Sequence, residues 1–145
     1  MKVWITGASS GIGHALAIEF AKRYSGQAAV LGLVGRRQSE LLALQTMLRN
    51  TFQVTSEIYV LDVRDSVAMQ HAAQSFIVQY GAPNIVIASA GVSRGTLTEF
   101  AEDIKAFQAV MDINVIGMVH TFQPFIESIK QYDLINQPAQ LDSIS

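Results

Sequence analysis

A glycine-rich segment near the start of the chain has residue types suited to binding an anion. Residues 6–13 read Thr-Gly-Ala-Ser-Ser-Gly-Ile-Gly and lie between a short apolar run and a stretch of helical period. Glycine permits a tight turn and the close approach of a ligand, and the first N–H groups of a helix attract negative charge. The hydroxyls of Ser9 and Ser10 add donors. These features predict a pyrophosphate site, with a purely structural strand-to-helix turn as the alternative.

The spacing of the glycines, G-x-x-x-G-x-G, narrows the class of phosphate loop. It differs from the G-x-G-x-x-G of the common dinucleotide fingerprint, so that motif applies by its mechanism and not by its letters. A triphosphate-binding loop carries Lys and then Ser or Thr after its last glycine, whereas His14 and Ala15 follow Gly13 here. We therefore do not expect hydrolysis of nucleoside triphosphates.

Short apolar runs alternate with longer segments of helical period in the part of the chain that must position this loop. Such an order predicts parallel strands covered by helices on both faces, an α/β fold with a doubly wound parallel sheet. The apolar runs are continuous, as expected when both faces of a sheet are buried. The predicted strands are residues 3–6, 28–34, 57–61 and 84–89, and the predicted helices are residues 12–24, 39–50, 66–80 and 98–131, the last with breaks near Asp103 and Pro124.

At each fixed position, residues 6–13 resemble the TGxxxGIG cofactor loop of the short-chain dehydrogenase/reductase family. The resemblance implies a Rossmann-like doubly wound parallel sheet flanked by helices, truncated here after the fourth or fifth strand. Leu61-Asp62-Val63 is similar to the family's Asp-Val pair, whose aspartate approaches the adenine. For Asp62, capping of the next helix is the alternative. The run 88–91, Ala-Ser-Ala-Gly, keeps only the last two residues of the family's Asn-Asn-Ala-Gly.

Two arginines after the second predicted strand indicate which dinucleotide is bound. An NAD site places an acidic side chain there, but this strand ends at Gly35 and continues with Arg36 and Arg37. A guanidinium offers a planar fork of donors to a 2′-phosphate, so we predict NADP as the cofactor. Solvated arginines opening a helix are the alternative. The residues predicted to contact the cofactor are Gly7, Ser9, Ser10, Gly11, Ile12, Gly13, Arg36, Arg37, Asp62, Val63, Ser89, Ala90 and Gly91.

The family's catalytic residues are only partly represented in this chain. The resemblance assigns Asn114 to the family's asparagine, which organises a proton relay; a packing role inside a helix is the alternative. None of the four tyrosines is followed by lysine at the fourth position, so the family's Tyr-x-x-x-Lys pair is absent. A tyrosine without a neighbouring cation keeps a pKa near 10 and is a poor acid or base at neutral pH. Ser145 lies about where the family places its catalytic serine, with an ordinary tail serine as the alternative.

Composition sets limits on the partners and the location of the protein. The 145 residues fit one domain, which we divide into a dinucleotide-binding part, residues 1–131, and a weakly matching tail, residues 132–145. A net charge of −2 gives no general attraction to nucleic acid or to an anionic membrane, and no apolar run is long enough for a membrane span. The absence of cysteine fits the reducing cytoplasm, which is the expected location.

Taken with the resemblance, these features predict an NADP(H)-dependent oxidoreductase. Its reaction is hydride transfer between the nicotinamide and a small-molecule carbonyl or alcohol, impaired in this chain because the tyrosine and lysine are missing. The alternatives are a noncatalytic NADP-binding module and a truncated gene product. The three histidines are too far apart in sequence to suggest a metal site. The last predicted helix carries apolar residues that a second copy of the chain could cover, so a homo-oligomer is a further expectation.

Overall fold

A computed structural model of the chain describes residues 1–93, 95, 97 and 99–136. Strands and helices alternate through the first part of this range, as the apolar pattern predicts. The first two pairs of elements are β1 (Lys2–Thr6), α1 (Gly11–Arg23), β2 (Val30–Gly35) and α2 (Gln38–Phe52). They are followed by β3 (Thr55–Val60), α3 (Ser66–Tyr80) and β4 (Ile85–Ala88).

A long, irregular helix follows β4, and we refer to residues 104–136 as the long helix. It begins at Ile104, after a 3₁₀ turn at Ala101–Asp103, and not near residue 98 with a break at Asp103 as predicted, whereas a second 3₁₀ turn at Gln123–Phe125 confirms the break predicted near Pro124. Proline has no N–H to donate, which explains the second break. Its regular segments are α4 (Ile104–Met111), α5 (Gly117–Phe122) and α6 (Ile126–Asn136), and a π-helical segment, Asp112–Ile116, joins the first two.

The four strands form one parallel sheet in the order β3-β2-β1-β4. The chain moves outward from β1 to β3 and then returns to place β4 on the other side of β1. This reversal confirms the predicted doubly wound, Rossmann-like arrangement. In open parallel sheets, ligands bind beyond the carboxyl ends of the strands where the strand order reverses. The topology therefore places a candidate site beyond Thr6 and Ala88, the last residues of β1 and β4.

Both faces of the sheet are buried, which explains why its inner strands are continuously apolar. On one face, Val3, Ile5, Leu31 and Leu33 pack with apolar residues of α1 and α2. On the other, Trp4 packs with residues of α3 and of the long helix, including Phe76 and Phe125. Each large buried side chain contributes about 1.5–3 kcal/mol through removal from water. In the described ranges, no helix combines the length and the apolar character required to cross a membrane.

The indole of Trp4 occupies space that a glycine on the neighbouring strand leaves free. Trp4 is fully buried and lies with its ring centroid 5.4 Å from that of Phe76 and 5.1 Å from that of Phe125. Gly32 pairs with Trp4 in the β1–β2 register. A Cβ atom at residue 32 would lie 2.5 Å from Cε3 of Trp4. The glycine is therefore required by the size of the indole beside it.

We expect Gly32→Ala to lower the free energy of unfolding by about 1–3 kcal/mol, because the added methyl overpacks the core. Urea unfolding followed by the fluorescence of Trp4, which is the single tryptophan, measures this change. The matched control is Gly95→Ala, since a Cβ there meets no atom within 4 Å among the described residues beyond its chain neighbours. Both variants remove the same chain entropy from the unfolded state, so their difference isolates the packing effect. Equal stability of the two variants would contradict the steric explanation.

Candidate functional site

A cavity of about 760 Å³ opens at the carboxyl ends of the strands, where the topology places a site. That volume lies within the usual range for a pocket that holds a cofactor. The structure brings the predicted residues together here, although they come from five separate parts of the sequence. Those lining the cavity are Gly7, Ser9, Ser10, Gly11, Ile12, Arg36, Arg37, Asp62, Val63, Ser89, Ala90, Gly91 and Asn114.

The glycine-rich loop lies close to the end of β4 because Gly7 and Gly13 have no side chains. Gly7 has a left-handed backbone, with φ at 72°, and a Cβ there would lie 2.7 Å from the backbone N of Ala90. A Cβ on Gly13 would lie 2.6 Å from the carbonyl oxygen of Gly7. Gly13 is buried and is not among the residues lining the cavity, so the structure places it beneath the loop. Its position favours packing of helix against loop over contact with a ligand.

The start of α1 presents free donors to the cavity. Ser10 is the N-cap residue, but its side chain makes no capping hydrogen bond, so its hydroxyl is not used by the helix. Gly11 has φ at 57°, and a Cβ there would meet no atom within 4 Å. The first amides of a helix carry partial positive charge. Open space, unused donors and this dipole fit the diphosphate of a dinucleotide.

The two arginines after β2 differ in how the protein uses them. Arg37 donates from Nη2 to the carbonyl oxygen of Ser9 at 3.0 Å and pairs with Glu40 at 3.6 Å. It therefore ties the start of α2 to the glycine-rich loop. The side chain of Arg36 is 60% exposed and makes one ion pair, to Asp62 at 3.7 Å, and no hydrogen bond within the described part of the chain. Arg36 is thus the guanidinium more available to a ligand.

Asp62 lies at the wall of the cavity and is held by an arginine that the sequence did not single out. Arg64 donates from Nε to Oδ1 at 3.0 Å and from Nη2 to Oδ2 at 2.7 Å. Hydrogen bonding to the side chain of Arg64 is the main reason that the pKa of Asp62 is lowered from its ordinary value. Capping of the next helix by Asp62 is wrong, because Asp65 caps α3 by accepting from the N–H of Ala68 at 2.9 Å.

Asn114 joins the long helix to the loop after β4. Its Oδ1 accepts from the N–H of Val92, and its Nδ2 donates to the carbonyl oxygen of Val92, both at 2.9 Å. The residue lies in the π-helical segment, and π segments often occur at functional sites. Both ends of the amide are therefore occupied by backbone. This arrangement fixes the loop beside Gly91, where a Cβ would be 3.4 Å from Oδ1 of Asn114.

Several residues of the cavity wall were not predicted from the sequence. Gly35 is the last residue of β2, and Leu61 directly follows β3. Including every residue at or next to a strand end would have found both. Ile113 is buried and lies in the π-helical segment, which has no sequence signal here. The lining residues that the prediction missed are Gly35, Leu61, Val92, Ser93 and Ile113.

The tyrosines whose side chains are described lie away from the cavity. Tyr59 and Tyr80 pack near Trp4 and Phe76. The hydroxyl of Tyr80 donates to Glu57 at 2.8 Å, and burial together with this carboxylate raises the pKa of Tyr80 to about 12. A phenol with that pKa is a poor acid or base at neutral pH. Ser145, the predicted serine position, lies outside the described residues.

Comparison with known proteins shows the family of the chain. The sequence model of the family described as short chain dehydrogenase matches residues 1–133. The chain therefore belongs to the short-chain dehydrogenase family. It is 32% identical over 124 residues to the NADPH-dependent pterin aldehyde reductase of Arabidopsis thaliana, a match that covers 86% of this chain and 49% of that protein.

Solved structures show the same architecture. The L-sorbose reductase of Gluconobacter frateurii, complexed with NADPH and L-sorbose, superposes with a TM-score of 0.78 at 26% identity, covering 90% of this chain and 48% of that one. The carveol dehydrogenase of Mycobacterium avium, in complex with NAD, superposes with a TM-score of 0.77 at 23% identity, covering 90% of this chain and 50% of that one. The chain thus spans about half the length of the proteins that it matches.

We expect Asn114→Ala to speed hydrogen exchange at the amide of Val92 by roughly fivefold, because one hydrogen bond contributes about 1 kcal/mol. Amide exchange followed by NMR measures this. Asn84→Ala is the matched control, since Oδ1 of Asn84 accepts from the N–H of Lys2 at 2.8 Å and should affect only that end of the sheet. Unchanged exchange at Val92, or equal acceleration throughout the sheet, would show that Asn114 does not hold the loop.

Proposed function

We propose that this chain binds NADP(H) in the cavity at the carboxyl ends of its strands. The observation that carries the proposal is the convergence in one cavity of the uncapped start of α1 and the exposed guanidinium of Arg36. The glycine-rich loop and the first amides of α1 would hold the diphosphate. Asp62 and Val63 would hold the adenine, and residues 89–91 would hold the nicotinamide half.

The preference for NADP over NAD is supported by the charges at the end of β2. That strand ends at Gly35, so the acidic side chain that would bond an unphosphorylated ribose is absent, and Arg36 follows at once. The carboxylate nearest to this position, Asp62, is already bonded by Arg64. The Arabidopsis reductase is NADPH-dependent and the Gluconobacter enzyme is complexed with NADPH, which supports the same preference here.

The reaction that we propose for the family site is hydride transfer between nicotinamide and a small-molecule carbonyl or alcohol. When bound, the cofactor supplies or accepts the hydride. The residues of this chain bind the cofactor, orient it against the glycine-rich loop and, through Asn114, hold the loop after β4 in place. Within these 145 residues no Tyr-x-x-x-Lys pair supplies the proton, so we propose that the chain alone turns over weakly or not at all.

A noncatalytic NADP-binding module is the second candidate. It is favoured by the position of Tyr59 and Tyr80, which pack against Trp4 and Phe76 and do not line the cavity. The two candidates share the cofactor site and differ only in turnover. Binding therefore tests what they share, and catalysis separates them.

We expect the chain to bind NADPH at least tenfold more tightly than NADH, as measured by titration with nicotinamide fluorescence. Arg36→Ala should weaken NADPH binding by about ten- to a hundredfold, because a hydrogen bond to a charged group contributes about 1.5–3 kcal/mol. It should leave NADH binding nearly unchanged. The matched control is Arg49→Ala, an exposed arginine of α2 that does not line the cavity. Equal loss in both arginine variants would show that the effect is general charge and not a phosphate contact.

We expect no oxidation of NADPH above the buffer rate when the 145-residue chain is mixed with a panel of aldehydes and ketones. The missing proton donor is the physical reason, since the carbonyl oxygen must gain a proton as hydride arrives. Absorbance of NADPH at saturating cofactor measures this, with the binding titration as proof of an occupied site. Carbonyl-dependent turnover that is lost with Asn114→Ala would contradict the noncatalytic candidate.

A further inference from the structure

Arg36 and Arg64 both pair with the carboxylate of Asp62, which lines the cavity, and their contacts with it are unequal. Arg64 holds both carboxylate oxygens of Asp62, and Oδ1 also accepts from the backbone N–H of Arg64 at 3.0 Å. Arg36 approaches Oδ2 of the same carboxylate only to 3.7 Å. Arg37 is committed to Ser9 and Glu40. Two guanidinium groups therefore compete for the Asp62 carboxylate, and Arg64 has the better hydrogen-bond geometry.

Which arginine pairs with Asp62 determines whether Arg36 is available to bind a phosphate. A guanidinium that forms two parallel hydrogen bonds to a carboxylate has fewer donors left for a phosphate. The carboxylate also repels a phosphate at close range, unless a cation neutralises it. The guanidinium of Arg64 neutralises the charge of Asp62, and the side chain of Arg36 is 60% exposed.

We propose that Arg64 is a specificity-determining positioning residue: by gripping Asp62, it keeps Arg36 free for the 2′-phosphate of NADP. This inference rests on the proposed function. Arg64 is not among the residues lining the cavity, so it acts through Asp62 and not by touching the ligand. The lowered pKa of Asp62, caused first by Arg64 and last by Arg36, agrees with the unequal contacts.

The alternative is that the Arg64–Asp62 pair only stabilises the turn between β3 and α3. Asp62 also has a part in that turn, since its Oδ1 accepts from the backbone N–H of Arg64, but the N–H of Asp65 donates to the carbonyl oxygen of Asp62 at 3.0 Å and Asp65 caps α3, and neither contact needs the Arg64 side chain. A purely structural role predicts equal effects on both dinucleotides. A role in specificity predicts an effect on NADPH alone.

The test is the ratio of the dissociation constants for NADH and NADPH, measured by titration on the folded chain. Arg64→Ala should lower this ratio about three- to tenfold, mainly through weaker NADPH binding, as Arg36 turns to Asp62. The double variant Asp62→Asn with Arg64→Ala removes the competing charge and should restore the ratio to within about twofold of the parent. Arg64→Lys keeps the charge without the two-point grip and should give an intermediate ratio.

Each outcome separates the inference from the proposed function. An unchanged ratio in Arg64→Ala, or no recovery in the double variant, would overturn the inference while leaving NADP binding intact. Failure of the parent chain to bind either dinucleotide would overturn the proposed function, and the inference with it. Near-ultraviolet circular dichroism of the buried Trp4 checks that each variant is folded. If Arg64→Ala does not fold, Arg64→Gln and Arg64→Lys carry the test, and equal ratios in both and in the parent would refute it.

Discussion

The close approach of the backbone after β1 to the backbone after β4 is the contact on which the site depends. It exists because residue 7 has no side chain. Residue 13 also has none, so the start of α1 can pack closely against the backbone of residue 7. A Cβ at residue 7 or residue 13 would lie less than 3 Å from backbone atoms, so the loop would have to move away. Such a shift would separate the start of α1 from residues 89–91 and open the cavity. The order of the strands and the absence of two side chains thus act together.

The second constraint is that the sheet must be covered on both faces to hold those strand ends in register. Trp4 fills one face beside Gly32, while Val3 and Ile5 face the other helices. Parallel strands need such cover because their connections place helices on either side. The positions of the glycine-rich loop and of Asp62 follow from this packing, since the loop follows β1 and Asp62 comes shortly after β3. Stability and site geometry therefore share the same residues.

Local patterns predicted the order of the elements well and their limits less well. The continuous apolar run in β2 predicted a strand at 28–34, but the structure places it at Val30–Gly35, because pairing with β1 decides where it begins. The π-helical segment around Asn114 has no signal in the residue types. Arg64 was missed because its role depends on a turn that bends it back two residues onto Asp62. Interactions of this kind require coordinates.

The pair Arg36 and Arg37 shows where sequence reasoning about charge ends. The two residues are chemically identical neighbours, and their sequence position marks both for a phosphate, with Arg36 favoured only because it directly follows the strand. In the structure, Arg37 is the N-cap residue of α2. From there its guanidinium donates a hydrogen bond to the carbonyl oxygen of Ser9 and forms an ion pair with Glu40. Arg36 has one long ion pair, to a carboxylate already taken. A cation is available to a ligand only when its neighbours have better partners, so cofactor preference depends on residues that never touch the cofactor.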